Sequence, residues 1–451
     1  MPQEKFHYKS LEEVKQRAAE LGVDLPFAAD THVLAQPLTV RNITFPNRLG
    51  IAPMEGADST PEGAPTEYTT RRYVNEAIGG SSVIWFEAIS IVEEGRSSKT
   101  QLLLTRDTLD EFKKMTAAVK EAGMKANGFA PYLIMQANHS GRYSNPGNKP
   151  APMIAYRHPI LEQYRAADDS CIVSDDYLKG LEEKFGEAAL LAKEAGFDAI
   201  DIKSCHGYLL AELASAYNRP GEYGGCFENR FRLLKNGIRA AKVYEDDSFM
   251  VTARVGIYDG YAYPWGFGVS PESGTTPDLT EPTRLVHELH DELGLDMVNL
   301  TMGNPYATTH VTRPFDFGKY EPDEHPFVGL SRMIRGIGAV KKAVPEMTVW
   351  ASAPTYLRAY ADLFSAGAVE QGLCDGMLFG RMAFADPDFA NEIVKNGRID
   401  PKRVCLTCGK CGDLIRAHKP TGCVIRDSKT FMPFYKEFLE IKKTQPANFR
   451  G

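Results

Sequence analysis

The sequence predicts a closed (β/α)8 barrel carrying short additions at both ends. Three observations lead there. Short apolar runs alternate with amphipathic helical stretches, as repeated βα units of a parallel sheet do. Eight such runs can be counted. The length, 451 residues, exceeds a usual single domain yet suits one large barrel with extensions.

Taken in order, residues 1–35 are charged and helix-like and form an N-terminal extension. The barrel occupies 36–395, with strands at 47–53, 82–88, 130–136, 198–203, 249–255, 297–300, 347–352 and 376–380. The helix before the fourth strand is marked by Ser174 as N-cap and Gly196 at its end, with apolar residues at helical spacing between. The stretches 137–170 and 256–280 are too long for simple connections, and they follow strands three and five, so they are read as loops over the site. Residues 396–451 form a cysteine-rich segment. No short-period repeat or low-complexity tract is present.

A net charge of −7 arises from intermixed acids and bases without a polybasic run, so neither nucleic acid nor an anionic membrane is an expected partner. The N-terminus lacks an apolar signal core, and no apolar run is long enough to span a bilayer. A cytoplasmic protein acting on small molecules is expected.

Four of the eight cysteines are scattered, and four crowd into CLTCGKCGDLIRAHKPTGC as Cys405, Cys408, Cys411 and Cys423. This spacing could hold zinc or an iron–sulfur cluster. Structural zinc usually takes two separated pairs, whereas three thiolates wrapping one corner plus a distant fourth suit a [4Fe–4S] cubane, which is favoured.

In such barrels chemistry sits at the C-terminal ends of the strands. Strand one ends in Ala52, Pro53, Met54 and Glu55, strand two in Glu87 and Ala88, strand three in Gln136, strand four in Lys203, His206 and Tyr208, and strand five in Arg254. After strand eight, Gly380 and Arg381 stand where barrels of this kind commonly hold phosphate. An amide, a guanidinium, close-approach backbone and a phosphate pocket together describe a mononucleotide site.

The segments LTVRNITFPNRLGIAPM, IMQANHSGR, EAGFDAIDIKSCHGYLLAELASAYNRPGEYGGCFENRFR and LFGRMAFADPDF, followed by the cysteine segment, resemble in order the old yellow enzyme family. Within it they resemble the branch typified by 2,4-dienoyl-CoA reductase and trimethylamine dehydrogenase. The match runs through most of residues 35–425. The resemblance implies FMN bound without a covalent link, and a [4Fe–4S] cluster that feeds it electrons. It implies that Ala52, Pro53 and Met54 lie along the flavin and that Ala88 approaches its edge. Gln136 would hydrogen-bond the pyrimidine portion, and Arg254 would face the electron-rich N1–C2 carbonyl region, where a fixed positive charge stabilises the reduced anion. Gly380 and Arg381 would hold the phosphate.

For the segment after strand four, the resemblance implies two polar donors for a substrate carbonyl and a tyrosine that protonates the α-carbon. Lys203 and His206 take the donor positions and Tyr208 that of the acid. Donors aimed at a developing enolate contribute on the order of a few kcal/mol each. Lysine departs from the usual histidine of relatives, supplying a mobile point charge in place of an oriented imidazole. The alternative is that Lys203 pairs with Asp201 or Glu55 and that His206 caps the next helix. Glu55 replaces a small polar or thiol residue of relatives. Ser352 and Ala353 stand where relatives carry a phosphate-binding glycine pair, and one residue is missing between the second and third cysteines relative to the C-x2-C-x3-C spacing of the reductase branch.

The closest branch continues into FAD- and NAD(P)-binding domains, for which no fingerprint follows a strand here. Electrons are therefore expected from a separate reductase, ferredoxin or flavodoxin-like partner, or from NAD(P)H at the flavin. A low-potential cluster suits an anaerobic or microaerobic setting. The resulting expectation is a flavin-dependent ene-reductase of unsaturated carbonyl compounds. The alternatives are an amine dehydrogenase or demethylase of the same branch and a non-catalytic electron-transfer subunit.

Overall fold

The computed structural model describes residues 4–316 and 322–444. The outermost residues of both predicted end segments lie outside that range. No helix among the described residues is long and apolar enough to cross a membrane.

An antiparallel hairpin precedes the barrel, with β1 (Leu38–Val40) paired to β2 (Ile43–Phe45). The eight strands that follow are β3 (Leu49–Ile51), β4 (Val83–Ser90), β5 (Tyr132–Asn138), β6 (Ala199–Ser204), β7 (Met250–Gly256), β8 (Met297–Thr301), β9 (Thr348–Ser352) and β10 (Gly376–Phe379). All pair in parallel, and β10 closes onto β3. The predicted (β/α)8 barrel is thus the fold observed, and each of the eight predicted runs overlaps a strand, with β4 and β5 running two residues past the predicted end.

Alternation along each strand separates two apolar layers, because successive side chains of a strand point to opposite faces. Trp85, Ile134, Ala199, Met250, Trp350 and Leu378 fill the barrel interior. Their neighbours Ile84, Phe86, Leu133, Ile200 and Val251 pack outward with the helices. The hairpin plugs the N-terminal end: Phe45 packs edge-on against Trp350 and Tyr132, at centroid separations of 5.8 and 5.3 Å. The sequence reading did not resolve this hairpin, although Arg41 and Asn42 separate its two alternating runs and Arg41 has φ 54°.

The helix Asp175–Glu194 begins as expected, with the Ser174 hydroxyl accepting from the Tyr177 amide at 3.1 Å. Gly196 follows its end at φ 86°, the left-handed region glycine favours. Phe6, Val14, Ala18 and Leu34 from the N-terminal residues join the main core. The C-terminal helices Lys410–Arg416 and Ser428–Thr444 share a small core of Leu414, Val424, Phe431, Tyr435 and Phe438.

Candidate active site

The site is built at the C-terminal mouth from a paired half and an unpaired half. On the β3–β4 side a register shift between Trp85 and Ala88 redirects β4, and the Glu87 carboxylate turns to the helix Glu67–Ile78. There Arg72 forks between Asp58, at 2.6 Å, and Glu87, and the Tyr73 hydroxyl donates to Glu87 at 3.1 Å. The other Glu87 oxygen accepts from the Gly56 amide at 2.9 Å, which fixes the turn carrying Glu55. Burial pushes Glu87 up to about 7 against the pull of Arg72. A Cβ at Gly56 would meet the Arg72 guanidinium at 2.0 Å, so a side chain there would push Arg72 off its carboxylates.

Inside the barrel Asp201 collects three donors: Trp85 Nε1 at 2.7 Å, Gln136 Nε2 at 2.6 Å and the Arg254 backbone amide. Burial pushes Asp201 up to about 6. Asp201 thus holds Gln136 and does not pair with Lys203. Gln136 faces the interior opposite Ala88 in register, which places those two predicted cofactor residues side by side. His139, just beyond, is tied to Tyr177 at 2.9 Å and to the Gly141 amide, away from the mouth.

The unpaired half begins at Lys203 and Arg254, which are register partners on β6 and β7. Both are 5% exposed. Among the described residues neither side chain forms an ion pair, and Arg254 Nε is buried without a hydrogen-bond partner. Asn299, the next register partner on β8, is fully buried with both amide atoms unpartnered. Leaving buried polar groups unpaired costs about 1–3 kcal/mol each, more if charged, so this cradle is suited to an additional polar group. Burial pushes Lys203 down to about 8, with Arg254 acting in the same direction. His206 is held well below its ordinary value by burial, then by Arg254 and Lys203, so its imidazole is neutral.

The chain turns between Lys203 and the helix Leu209–Ala214 through two successive left-handed residues, His206 at φ 67° and Gly207 at φ 71°. This turn sets the three predicted catalytic residues together. Lys203 Nζ lies 3.8 Å from the centre of the Tyr208 ring. His206 Nε2 is 3.5 Å from Thr301 Oγ1. Tyr208, not His206, occupies the N-cap of the helix, so the capping alternative for His206 fails. The Tyr208 hydroxyl donates to Glu55 Oε1 at 3.1 Å, and Glu55 makes no ion pair with Lys203. Burial, then Glu55, hold the Tyr208 phenol well above its ordinary value.

Three residues missed in the sequence complete this mouth. Tyr306 reaches Tyr208 with an oxygen separation of 2.7 Å and stacks on Tyr143, centroids 3.8 Å apart. Asn304 donates to the Tyr143 hydroxyl at 3.2 Å. Tyr143 comes from the predicted loop 137–170, whereas Asn304 and Tyr306 follow β8, in a loop whose length and Asn-Pro turn were the available signal. The loops 137–170 and 256–280 do meet, through His158 Nε2 and the Trp265 carbonyl at 2.9 Å.

At the opposite rim, Ala52 bonds back to the Phe379 carbonyl, and a Cβ on Gly380 would lie 3.1 Å from the sulfur of Met54 and 3.7 Å from Ala52. Pro53 links these two, so the predicted strand-one and strand-eight residues converge. Ser352 ends β9, and Ala353 has φ 77°, the conformation that would favour the glycine of relatives. Arg381 Nη2 donates to the Pro314 carbonyl at 2.8 Å. Arg381 also lines a pocket together with Cys405, Cys408, Cys411 and Cys423. All four cysteines are free thiols. Burial pushes Cys405 up to about 12, opposed by Arg381. Among the described residues no three His, Cys, Asp or Glu side chains converge on a position for a single metal ion.

Residues 33–266 match the NADH:flavin oxidoreductase / NADH oxidase family. The chain is 33% identical over 223 residues to an NADPH dehydrogenase of Bacillus velezensis, covering 48% of this chain and 62% of that relative. It therefore spans about three fifths of that relative's length. A 2-naphthoyl-CoA reductase in complex with 2-naphthoyl-CoA shares the fold at TM-score 0.71 and 18% identity, over 90% of this chain and 58% of that one. Histamine dehydrogenase from Rhizobium sp. 4-9 does so at TM-score 0.66 and 19% identity, over 87% and 52%.

Proposed function

The chain belongs to the NADH:flavin oxidoreductase / NADH oxidase family, and on that premise we propose that it is an FMN-dependent ene-reductase acting on a C=C bond conjugated to a carbonyl. Bound FMN would supply hydride to the β-carbon. Arg254 and Gln136 would hold the flavin ring, Ala52, Pro53, Met54 and Ala88 would border it, and Ser352, Ala353, Gly380 and Arg381 would receive the phosphate. The buried, unpartnered atoms of Arg254 and Asn299 are what such a polar group would satisfy.

The observation that carries the reading is the grouping of Lys203, His206 and Tyr208 at the mouth. Lys203 and His206 bind the substrate carbonyl, one as a cation and the other as a neutral N–H donor, and stabilise the charge that builds on its oxygen. Tyr208 gives a proton to the α-carbon, a task suited to a phenol held in its protonated form. An amine substrate is disfavoured: the Tyr208 ring face already carries the Lys203 ammonium, so that face is not open to a substituted ammonium.

Cys405, Cys408, Cys411 and Cys423 are assigned to a [4Fe–4S] cluster, supported by their shared pocket next to Arg381. Coordination would ionise the thiols, among them those of Cys405, Cys411 and Cys423, which burial pushes up. Electrons would come from NADPH, as the name of the Bacillus relative suggests, or from a separate donor protein.

The test is an anaerobic absorption spectrum with iron and sulfide analysis, followed by mixing the reduced protein with an enone, an enoate and an enoyl thioester. Flavin bands, about four iron and four sulfide per chain, and reoxidation by at least one of the three are expected. Flavin that no unsaturated carbonyl reoxidises would refute the ene-reductase reading, and flavin without iron would refute the cluster.

A further inference from the structure

Tyr208 is 4% exposed and Tyr306 is 40% exposed, yet their hydroxyl oxygens are 2.7 Å apart. A phenol has a single hydrogen to donate. Either hydroxyl can donate in the short contact; with the Tyr208 hydrogen directed to Glu55, Tyr306 is the donor. Tyr306 is also firmly held. Its amide donates to Asn304 Oδ1 at 2.9 Å, and its ring stacks on Tyr143, whose hydroxyl Asn304 also fixes. Asn304 in turn abuts the catalytic turn, since a Cβ on Gly207 would lie 2.0 Å from its Nδ2. The same side chain therefore shapes both the approach to Tyr208 and the phenol that touches it.

We propose that Tyr306 returns the proton that Tyr208 spends, so that solvent, Tyr306 and Tyr208 form a relay ending at the substrate α-carbon. This rests on the ene-reductase reading. In the forward step the Tyr208 O–H bond breaks as the α-carbon gains its C–H bond, the electron pair having arrived with the hydride. The Tyr208 oxygen then takes the hydroxyl hydrogen of Tyr306, and the Tyr306 oxygen takes one from water. The net transfer is one solvent proton into the product, with both tyrosines restored. Glu55 keeps the Tyr208 hydroxyl oriented between turnovers and is a positioning residue.

The relay predicts a split between first and later turnovers, which a structural role would not produce. The dye-reduced protein is mixed with the unsaturated carbonyl that reoxidises it fastest, in single turnover and under steady reduction by excess dye. Tyr306→Phe is expected to keep its single-turnover rate within about twofold, because Tyr208 begins protonated, while its steady-state rate falls at least about tenfold and recovers as imidazole buffer is added. Tyr208→Phe should lose both rates. Equal steady-state rates in Tyr306→Phe and the unaltered protein would overturn the relay, as would equal losses in both regimes. Loss of the steady-state rate in Glu55→Gln with none in Tyr306→Phe would overturn it in favour of Glu55. If the unaltered protein is reoxidised by no unsaturated carbonyl, the ene-reductase reading and the relay fall together.

Discussion

The two halves of the barrel mouth treat buried charge in opposite ways. Around β3 and β4 Arg72 lies between Asp58 and Glu87, although Glu76 on the same helix keeps one buried oxygen without a hydrogen-bond partner, and beyond β5 Arg142 is paired with Glu212. Around β6 to β8, Lys203, Arg254 and Asn299 are as deeply buried, and none has an ion-pair or hydrogen-bond partner for its side chain among the described residues. Burying polar groups without partners lowers stability. We therefore read the paired half as scaffold that fixes geometry, and propose the unpaired half as the surface that receives a ligand.

Removing a partner separates the two most sharply. Arg72→Met leaves two buried carboxylates uncompensated and should cost about 3–5 kcal/mol, measured by chemical denaturation. A loss below about 1 kcal/mol would put that network outside the scaffold. Arg254→Met should leave apoprotein stability unchanged or raised in the same assay, because it deletes a cation with no partner. Its FMN dissociation constant, from fluorescence titration, should rise at least about tenfold, the loss of one charge-assisted hydrogen bond. Destabilisation comparable to Arg72→Met would erase the distinction.

The pH dependence is the next effect in size. Lys203 titrates at about 8, pushed down by burial, so its cationic form prevails below that pH and is lost above it. The rate of flavin reoxidation by an unsaturated carbonyl should therefore decline as pH rises through about 8, and Lys203→Gln should abolish that limb. The smallest effect concerns Ala353, a non-glycine residue at φ 77° beside the proposed phosphate site. Ala353→Gly should stabilise the protein by about 0.5–1 kcal/mol, read as a rise in melting temperature.

Much of this molecule was legible along the chain, because strand and helix periodicity is a local property. All eight barrel strands, the Ser174 cap and the crowding of Cys405, Cys408, Cys411 and Cys423 could be read without three dimensions. So could the residues at the strand ends, since a parallel barrel brings those ends to one mouth whatever the loops do. The β1–β2 hairpin escaped because its two strands are three residues each and its turn lacks glycine.

Only the tertiary structure decided the partnerships. Asp201 is adjacent in sequence to the stretch carrying Lys203, His206 and Tyr208, yet its carboxylate serves Trp85, Gln136 and the Arg254 amide, and Glu55 answers Tyr208 in place of Lys203. Tyr143, Asn304 and Tyr306 join the site from two loops far apart in the chain. Hydrogen bonds and ring contacts of this kind depend on distances set by barrel closure and loop path, which no local pattern of residues encodes. The chain by itself determined the barrel and which residues its strand ends bring to one mouth; the closed structure decided which of their charges are paired and which have no partner among the described residues.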